Sequence, residues 1–356
     1  MPLFALRVRI RTVNASRGIP GGLFAPTEAP MKAKMTVVLG LLLGTAACAA
    51  PLAAQSVPTR LVTGLQGASG STVGPDGALY VTEGAVGRIS RVDPETGEVT
   101  TFASGLPRSI IGFGGPTDIA FVGNTAYVIV TLVGPQFGSA DIVGIYRVDG
   151  PASFTVIADI GAFAIEHPPD TPFEGLRGLQ YAMEPYRGGF LVTDGHHNRV
   201  YQVTRDGTVS VFRAFGNIVP TGLAIAGNWV YMAEAGPLPH LPQDGQVVSF
   251  TDRSAEALVV ASGAPLLVDV EFGRGRTLFA LSQGIHAGGP EGSPALPNTG
   301  ALLRVAADGS FAPVADNLNV PTSLEVIGTT AYVVTLAGEI WRIDEISGPP
   351  YGRPSP

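Results

Sequence analysis

The sequence predicts an all-β chain, a six-bladed β-propeller of four-stranded antiparallel blades. Three observations predict it. One short apolar strand recurs six times, as "LYVTE" (79–83), "AYVIV" (126–130), "FLVTD" (190–194), "VYMAE" (230–234), "LFALS" (278–282) and "AYVVT" (331–335). A second strand follows each copy: "GRISRVD" (87–93), "GIYRVDG" (144–150), "NRVYQVT" (198–204), "GQVVSFT" (245–251), "GALLRVA" (300–306) and "GEIWRID" (338–344). Asp-Gly and Gly-Asn pairs punctuate the copies, and these residues tolerate the positive φ of tight hairpin turns.

The recurring first strand is nearly all apolar, as a strand covered on both faces must be. The following strand alternates more, as expected nearer the outside. An innermost strand precedes each pair, for example "TDIAFVGN" (117–124), "TGLAIAGN" (221–228) and "TSLEVIGT" (322–329). An outermost strand follows most of them, as in "PETGEVTTFA" (94–103), "RDGTVSVFR" (205–213) and "ADGSFAPVA" (307–315). The unit repeats every 40–60 residues or so, around the period of a propeller blade. The last copy ends at "IWRIDEIS" (340–347) without a fourth strand. "TRLVTGLQ" (59–66) resembles the end of the first copy, "TTFASGLP" (100–107), and is expected to complete the last blade and close the ring. The domain should run from 57 to 347, and "GPPYGRPSP" (348–356) reads as a disordered tail. A β-sandwich or two small barrels are the competing architectures; six registered copies with this terminal exchange argue against both.

Residues 1–54 read as an N-terminal extension and signal peptide. Lys32 and Lys34 follow Met31, Met35–Leu43 is a short apolar run, and "GTAACAAPLAAQS" supplies small residues. Met31 is the expected true start, with cleavage between Ala49 and Ala54. The run is too short to span a membrane. Thr45 stands where a lipoprotein signal normally has Leu, which argues against lipidation at Cys48, the single cysteine. The mature chain is thus expected to be exported to the periplasm or beyond, without disulfides, and held together by core burial. It would carry 16 Arg, no Lys and 28 Asp plus Glu, a net charge of −12. That balance, with no basic run, argues against nucleic acid and anionic membranes as partners.

"FLVTDGHHNRVYQV" (190–203) is similar to the NHL repeat. "GLQGASGSTVGPDGALYVTEG" (64–84) and "GRISRVDPETGEVTTFASGLP" (87–107) resemble the ScyD/ScyE family, exported propellers named for a gene cluster that makes the extracellular sunscreen pigment scytonemin. The resemblance covers residues 57–347. It departs at Ala68-Ser69-Gly70, where that family commonly shows Pro-Arg-Gly. It implies an exported propeller acting as a binding or scaffold module, a monomer that engages a small molecule or extracellular protein at its loop-rich face. It brings no established catalytic residues.

The loop-rich face is where chemistry is expected, since function sits in sites carried by folds. All five histidines fall in its connections: His167, His196, His197, His240 and His286. Glu83, Asp194 and Glu234 end the second strands at equivalent positions, and Asp118, Arg177 and Asp269 are read at the starts of innermost strands. Two readings stand. The acids bond backbone N–H groups at strand ends, or Glu83, Asp118, Asp194 and Glu234, with Asp269, ring the channel mouth and hold a hard cation such as Ca²⁺. Such a cation could polarise an ester or lactone carbonyl with histidine as base, in the manner of propellers resembling gluconolactonases and paraoxonases. No HExxH, EF-hand or zinc-knuckle spacing is present. Arg108 and Arg177 are candidate anion ligands. The long inserts 132–143, 161–175, 235–244 and 283–299 are Pro/Gly-rich and could build a binding rim. A protein-binding, NHL-like propeller using the whole face is the third reading.

Overall fold

The structure, a computed structural model, describes residues 56–290 and 292–352. The readings of residues 1–54, including Met31 and Cys48, lie outside the described residues. No helix among the described residues is long and apolar enough to cross a membrane.

Strand β1 (Thr59–Val62) comes first in the chain. Blade one is β2 (Ala68–Val73), β3 (Leu79–Glu83), β4 (Arg88–Val92) and β5 (Val99–Ser104). Blade two is β6 (Gly115–Val122), β7 (Thr125–Thr131), β8 (Gly144–Gly150) and β9 (Ser153–Asp159). A seven-residue helix, α1 (Ile160–Glu166), leads into blade three, formed by β10 (Gln180–Tyr186), β11 (Gly189–Asp194), β12 (Arg199–Val203) and β13 (Val209–Ala214). Blade four is β14 (Pro220–Ala226), β15 (Trp229–Glu234), β16 (Gln246–Phe250) and β17 (Leu258–Ser262). Blade five is β18 (Leu267–Phe272), β19 (Leu278–Ser282), β20 (Gly300–Val305) and β21 (Phe311–Leu318). The sixth sheet is β22 (Pro321–Ile327), β23 (Thr330–Thr335) and β24 (Ile340–Ile343), with β1 as its outer strand. β1 runs antiparallel to β24, with Arg60 opposite Trp341. All six sheets are four-stranded and antiparallel, so the chain is a six-bladed β-propeller.

The helix α1 was not read in the sequence. Asp159 caps it by accepting from the Ala162 N–H, and Ile160 and Ala164 turn into the core. Residues 348–352 also depart from the sequence reading of 348–356 as a disordered tail. The Thr277 hydroxyl donates to the Gly348 carbonyl at 2.8 Å, and the Tyr351 ring meets Tyr231 edge-on. An apolar ring in an otherwise Pro/Gly-rich end gives the segment something to bury. Residues 353–356 lie outside the described residues.

The core lies between blades. Ile89 and Ala103 of blade one pack with Val128 and Val130 of blade two, and Ile129 and Ile145 of blade two pack with Phe190 and Tyr201 of blade three. The same pairing recurs round the ring. Each buried Ile, Val or Phe contributes roughly 1.5–3 kcal/mol. This explains the all-apolar second strands: each faces a neighbouring blade on both sides.

At the centre the six inner strands come close enough to restrict side chains. A Cβ on Gly70 would lie 2.3 Å from Asp118 Oδ1 and 2.4 Å from the Thr117 carbonyl; Gly222 meets Asp269 Oδ1 in the same way at 2.2 Å. Glycine on one blade therefore makes room for aspartate on the next. We expect Gly70→Ala to destabilise the fold by about 2–3 kcal/mol through overpacking. A chemical-denaturation midpoint unchanged from wild type would refute it.

Candidate functional site

Antiparallel pairing puts the connections between second and third strands, and those between blades, on one face. The short hairpin turns occupy the other. The inner strands line a central channel whose walls include Ser69, Ser71, Thr117, Tyr181, Thr322 and Ser323, with the carboxyl groups of Asp118, Glu184, Asp269, Glu271 and Glu325. Among the described residues no Lys, Arg or His lines it. The enclosed space is about 20 Å³, room for about one water. Tyr181 of blade three explains the small size. Its hydroxyl reaches the opposite blade and donates to the Thr322 carbonyl at 3.1 Å.

Asp118 and Asp269 tie blades together. Asp118 accepts from Ile119 N at 2.8 Å and from Met183 N of the next blade at 2.7 Å. Asp269 accepts from Val270 N at 2.9 Å and from Leu324 N of the next blade at 2.7 Å. Burial nevertheless raises both carboxyls, Asp118 well above its usual range and Asp269 to about 7. Glutamates lie further along the inner strands β10, β18 and β22. Burial and mutual repulsion push Glu184 and Glu325 well up, and Glu271 to about 8. These three glutamates were missed in the sequence reading. The available signal was an acid in the middle of an otherwise apolar or small-residue strand.

The sequence expectation that Glu83, Asp118, Asp194 and Glu234 ring the channel mouth is corrected. Of these only Asp118, joined by Asp269, lines the channel. Glu83, Asp194 and Glu234 stand one strand further out, in three different blades, because they end β3, β11 and β15. They are equivalent by register, lying opposite Ala68, Gln180 and Pro220. Asp118 and Asp269 also lie within β6 and β18 rather than at their starts. Arg177 precedes β10 and donates to Gln136 Oε1.

Glu83 is fully buried and saturated. Arg88 grips it in a two-pronged ion pair at 2.9 and 2.8 Å, and the Ser90 hydroxyl and Gln66 N also donate to it. Burial raises its pKa, but these donors outweigh burial and hold it below the usual range.

Asp194 lies in a buried network. It accepts from Leu179 N, His197 N, Gln180 Nε2 and the Tyr201 hydroxyl. Arg199, itself 3% exposed, donates to the Tyr201 hydroxyl at 2.9 Å, the His167 carbonyl at 2.7 Å and His197 Nδ1 at 3.1 Å. His197 Nε2 donates to the Gly175 carbonyl at 2.7 Å, and burial lowers the His197 pKa. The network pins the long 167–179 connection.

The other histidines disperse. His167 stacks on Phe163 at 4.2 Å on the exposed side of α1. Both His196 ring nitrogens are buried without a partner among the described residues. His240 donates to the Gly236 carbonyl at 2.6 Å and meets the His286 ring edge-on at 5.2 Å. Among the described residues no set of three or more His, Cys, Asp or Glu is placed to hold a metal ion. Glu83 and Asp194 already have their oxygens committed, and Glu234 stands alone in a third blade with no companion ligand. The residues therefore do not fit a Ca²⁺ site at this mouth.

The loop-rich face has a different character. Ile110, Ile111 and Phe113, then Phe173 and Leu176, Leu238 and Leu241, and Ile285 and Leu296 stand exposed in successive connections, Leu176 to 67%. The turns of the opposite face expose no large apolar side chain among the described residues; Val86, Ile165 and Leu336 stand in further connections of the loop-rich face, and the others lie on outer strands or near the chain start. The 283–299 insert from blade five reaches Phe113, so that a Cβ on Gly292 would lie 3.4 Å from its ring. That insert therefore crosses the channel mouth. Gln283 anchors it, accepting from Ala295 N at 3.0 Å and donating to the Pro321 carbonyl of blade six at 3.3 Å. At the edge of this face Val86, Leu106, Tyr146, Phe154 and Val156 form a trough of about 680 Å³ beside Arg108 and Asp141.

No protein-family model matches this chain, and no curated protein matches it. Solved propellers do. The PQQ-bound aldose sugar dehydrogenase from Streptomyces coelicolor aligns with a TM-score of 0.55 at 14% identity, over 82% of this chain and 99% of that one. A gluconolactonase from Xanthomonas campestris gives 0.56 at 11% identity, over 81% and 89%. A chain of a nidogen/laminin complex gives 0.52 at 14% identity, over 75% and 89%. At such identities the likeness establishes the fold alone.

Proposed function

We propose that this chain is an exported binding module of ScyD/ScyE type that presents its loop-rich face to an extracellular protein with an apolar, neutral or basic surface. The observation that carries this reading is the one-sided distribution of exposed apolar side chains. An apolar face spread over several connections is what an interaction surface requires and what a monomer otherwise avoids. The channel, blocked by Tyr181 and bridged by 283–299, leaves no room there for an organic substrate. Glu166, Asp170, Glu174 and Asp244 outnumber Arg108 and Arg177 among the face's charges, which favours a basic complement over an acidic one. Export rests on the signal-like segment at 31–54.

The trough beside Arg108 supports a second reading for a small anionic, apolar ligand. Arg108 makes no hydrogen bond or ion pair with the described residues, and the volume is in the range of ligand pockets.

The test uses bis-ANS as a hydrophobic probe and δ-gluconolactone as a substrate. Wild type should enhance bis-ANS fluorescence, and the pair Leu238→Asp with Leu241→Asp should lower the enhancement by about half. Thr208→Asp on the opposite face should leave it unchanged. Turnover of δ-gluconolactone above background with Ca²⁺, Mn²⁺ or Zn²⁺ supplied would replace the binding reading with the hydrolase one.

A further inference from the structure

The repeat supplies its own comparison for Glu234. The same register position holds Glu83 in blade one and Asp194 in blade three, and both acids are fully satisfied. Blade four removes every donor that satisfies them. Opposite Glu83 and Asp194 stand Arg88 and Arg199; opposite Glu234 stands Gln246. Two residues on, Ser90 and Tyr201 supply hydroxyls, whereas blade four has Val248. The backbone donors are committed as well. Gln66 N serves Glu83 and Leu179 N serves Asp194, but Ile218 N and Val219 N both donate to Asn198 Oδ1, at 2.9 Å each. Glu234 is 5% exposed and makes no hydrogen bond or ion pair with the described residues.

A buried carboxylate without a partner is expensive, and proteins rarely leave one. We propose that Glu234 is a subsite for a cationic group, an ammonium or a guanidinium, carried by the partner of the loop-rich face. This rests on the binding reading above and adds to it the chemistry of one contact. The position suits the role. Glu234 ends β15 where the chain enters the 235–245 connection, whose Leu238 and Leu241 belong to the apolar face. Blade one shows the geometry that an incoming guanidinium would reproduce, in the two-pronged grip of Arg88 on Glu83. A single carboxylate with no companion ligands suits an organic cation rather than a metal ion.

The titration behaviour follows. Burial alone raises Glu234, to about 8. No neighbouring charge contributes. His240 and Asp244 in the same connection, His286 in the next blade's connection and Asp269 on β18 are the titratable groups of the elements packed around it, and none shifts it. A cation must therefore displace a proton below about pH 8.

The probe is N-acetylargininamide, with the isosteric, uncharged N-acetylcitrullinamide as control, measured by calorimetry from pH 6 to 9. Affinity for the arginine compound should rise by up to tenfold per pH unit to about pH 8 and then level off. The citrulline compound should not bind. Glu234→Gln should abolish binding at every pH. Gln246→Arg should abolish it too, by supplying the counter-cation from within, and should raise the melting temperature at pH 9. Wild type that fails to bind at pH 9, binding retained in Glu234→Gln, or binding retained in Gln246→Arg overturns the proposal. If the Leu238/Leu241 variant loses bis-ANS binding while one of these results occurs, the face reading survives and only the subsite falls.

Discussion

Raising the pH from 5 to 9 should lower the melting temperature by about 10 °C. The cause is the channel. Asp118, Glu184, Asp269, Glu271 and Glu325 converge there with no cation among the lining residues. All five hold their protons well above the pH at which an exposed carboxyl gives its proton up. In the unfolded chain these groups ionise near pH 4. Above that pH the unfolded state binds fewer protons than the folded one, so stability falls as pH rises. The stabilisation is complete below about pH 4 and is lost progressively up to about pH 8, the range set by Asp269 and Glu271. Each unit of elevation is worth about 1.4 kcal/mol per group. Because the groups repel one another and a water can enter, the five do not add; a total near 5 kcal/mol is a reasonable scale. At about 2 °C per kcal/mol for a domain of this size, that gives about 10 °C. Below pH 5 the opposite trend sets in, since Glu83, Asp76 and Asp344 are held low by arginines and lose their pairing on protonation. Thermal melts followed by circular dichroism at pH 5, 7 and 9 measure the effect. The double variant Glu271→Gln with Glu325→Gln should flatten the profile and raise stability at pH 9. A wild-type profile flat across this range would contradict the channel's electrostatics.

The strands that carry the fold were legible because each signal is local. β3 and β19 coincide with the quoted "LYVTE" and "LFALS", since an apolar run bounded by Asp-Gly or Gly-rich turns has few alternatives. The inner strands were read less completely. They face a crowded channel rather than a broad core, so small residues and acids replace the apolar alternation that marks a strand. Glu184, Glu271 and Glu325 gained their meaning only when three blades brought them to one axis. Tyr181 crossing to Thr322 joins residues 141 positions apart, which no local pattern reveals. The pairing of acids with arginines was within reach. "EGAVGR" (83–88) and "DGHHNR" (194–199) share an acid, a glycine and an arginine five residues after the acid. Blade four breaks that pattern with its long 235–245 connection, and the break is what isolates Glu234. The histidines misled because polarity alone placed them together. They share a face, yet His197 serves the Asp194 network, His167 caps a helix, and only His240 and His286 meet.

Arg199→Leu should cost about 3–5 kcal/mol at pH 8, the scale for removing one member of a buried charged network. The guanidinium donates to three acceptors at once, the Tyr201 hydroxyl, the His167 carbonyl and His197 Nδ1. Leucine fills similar volume but satisfies none. Tyr201 would keep its bond to Asp194, and Asp194 would be left as a buried anion with no cation in its network. Arg199→Lys should recover part of the loss, because an ammonium restores charge but cannot hold three acceptors in the planar fork. The effect should also reach the surface. The His167 carbonyl and, through His197, the Gly175 carbonyl anchor the connection that presents Phe173 and Leu176. Limited proteolysis should therefore cut Arg199→Leu within 167–179 faster than wild type at a temperature where both remain folded. A loss below about 1 kcal/mol would mean that Arg199 fills space in blade three rather than holding these three acceptors together.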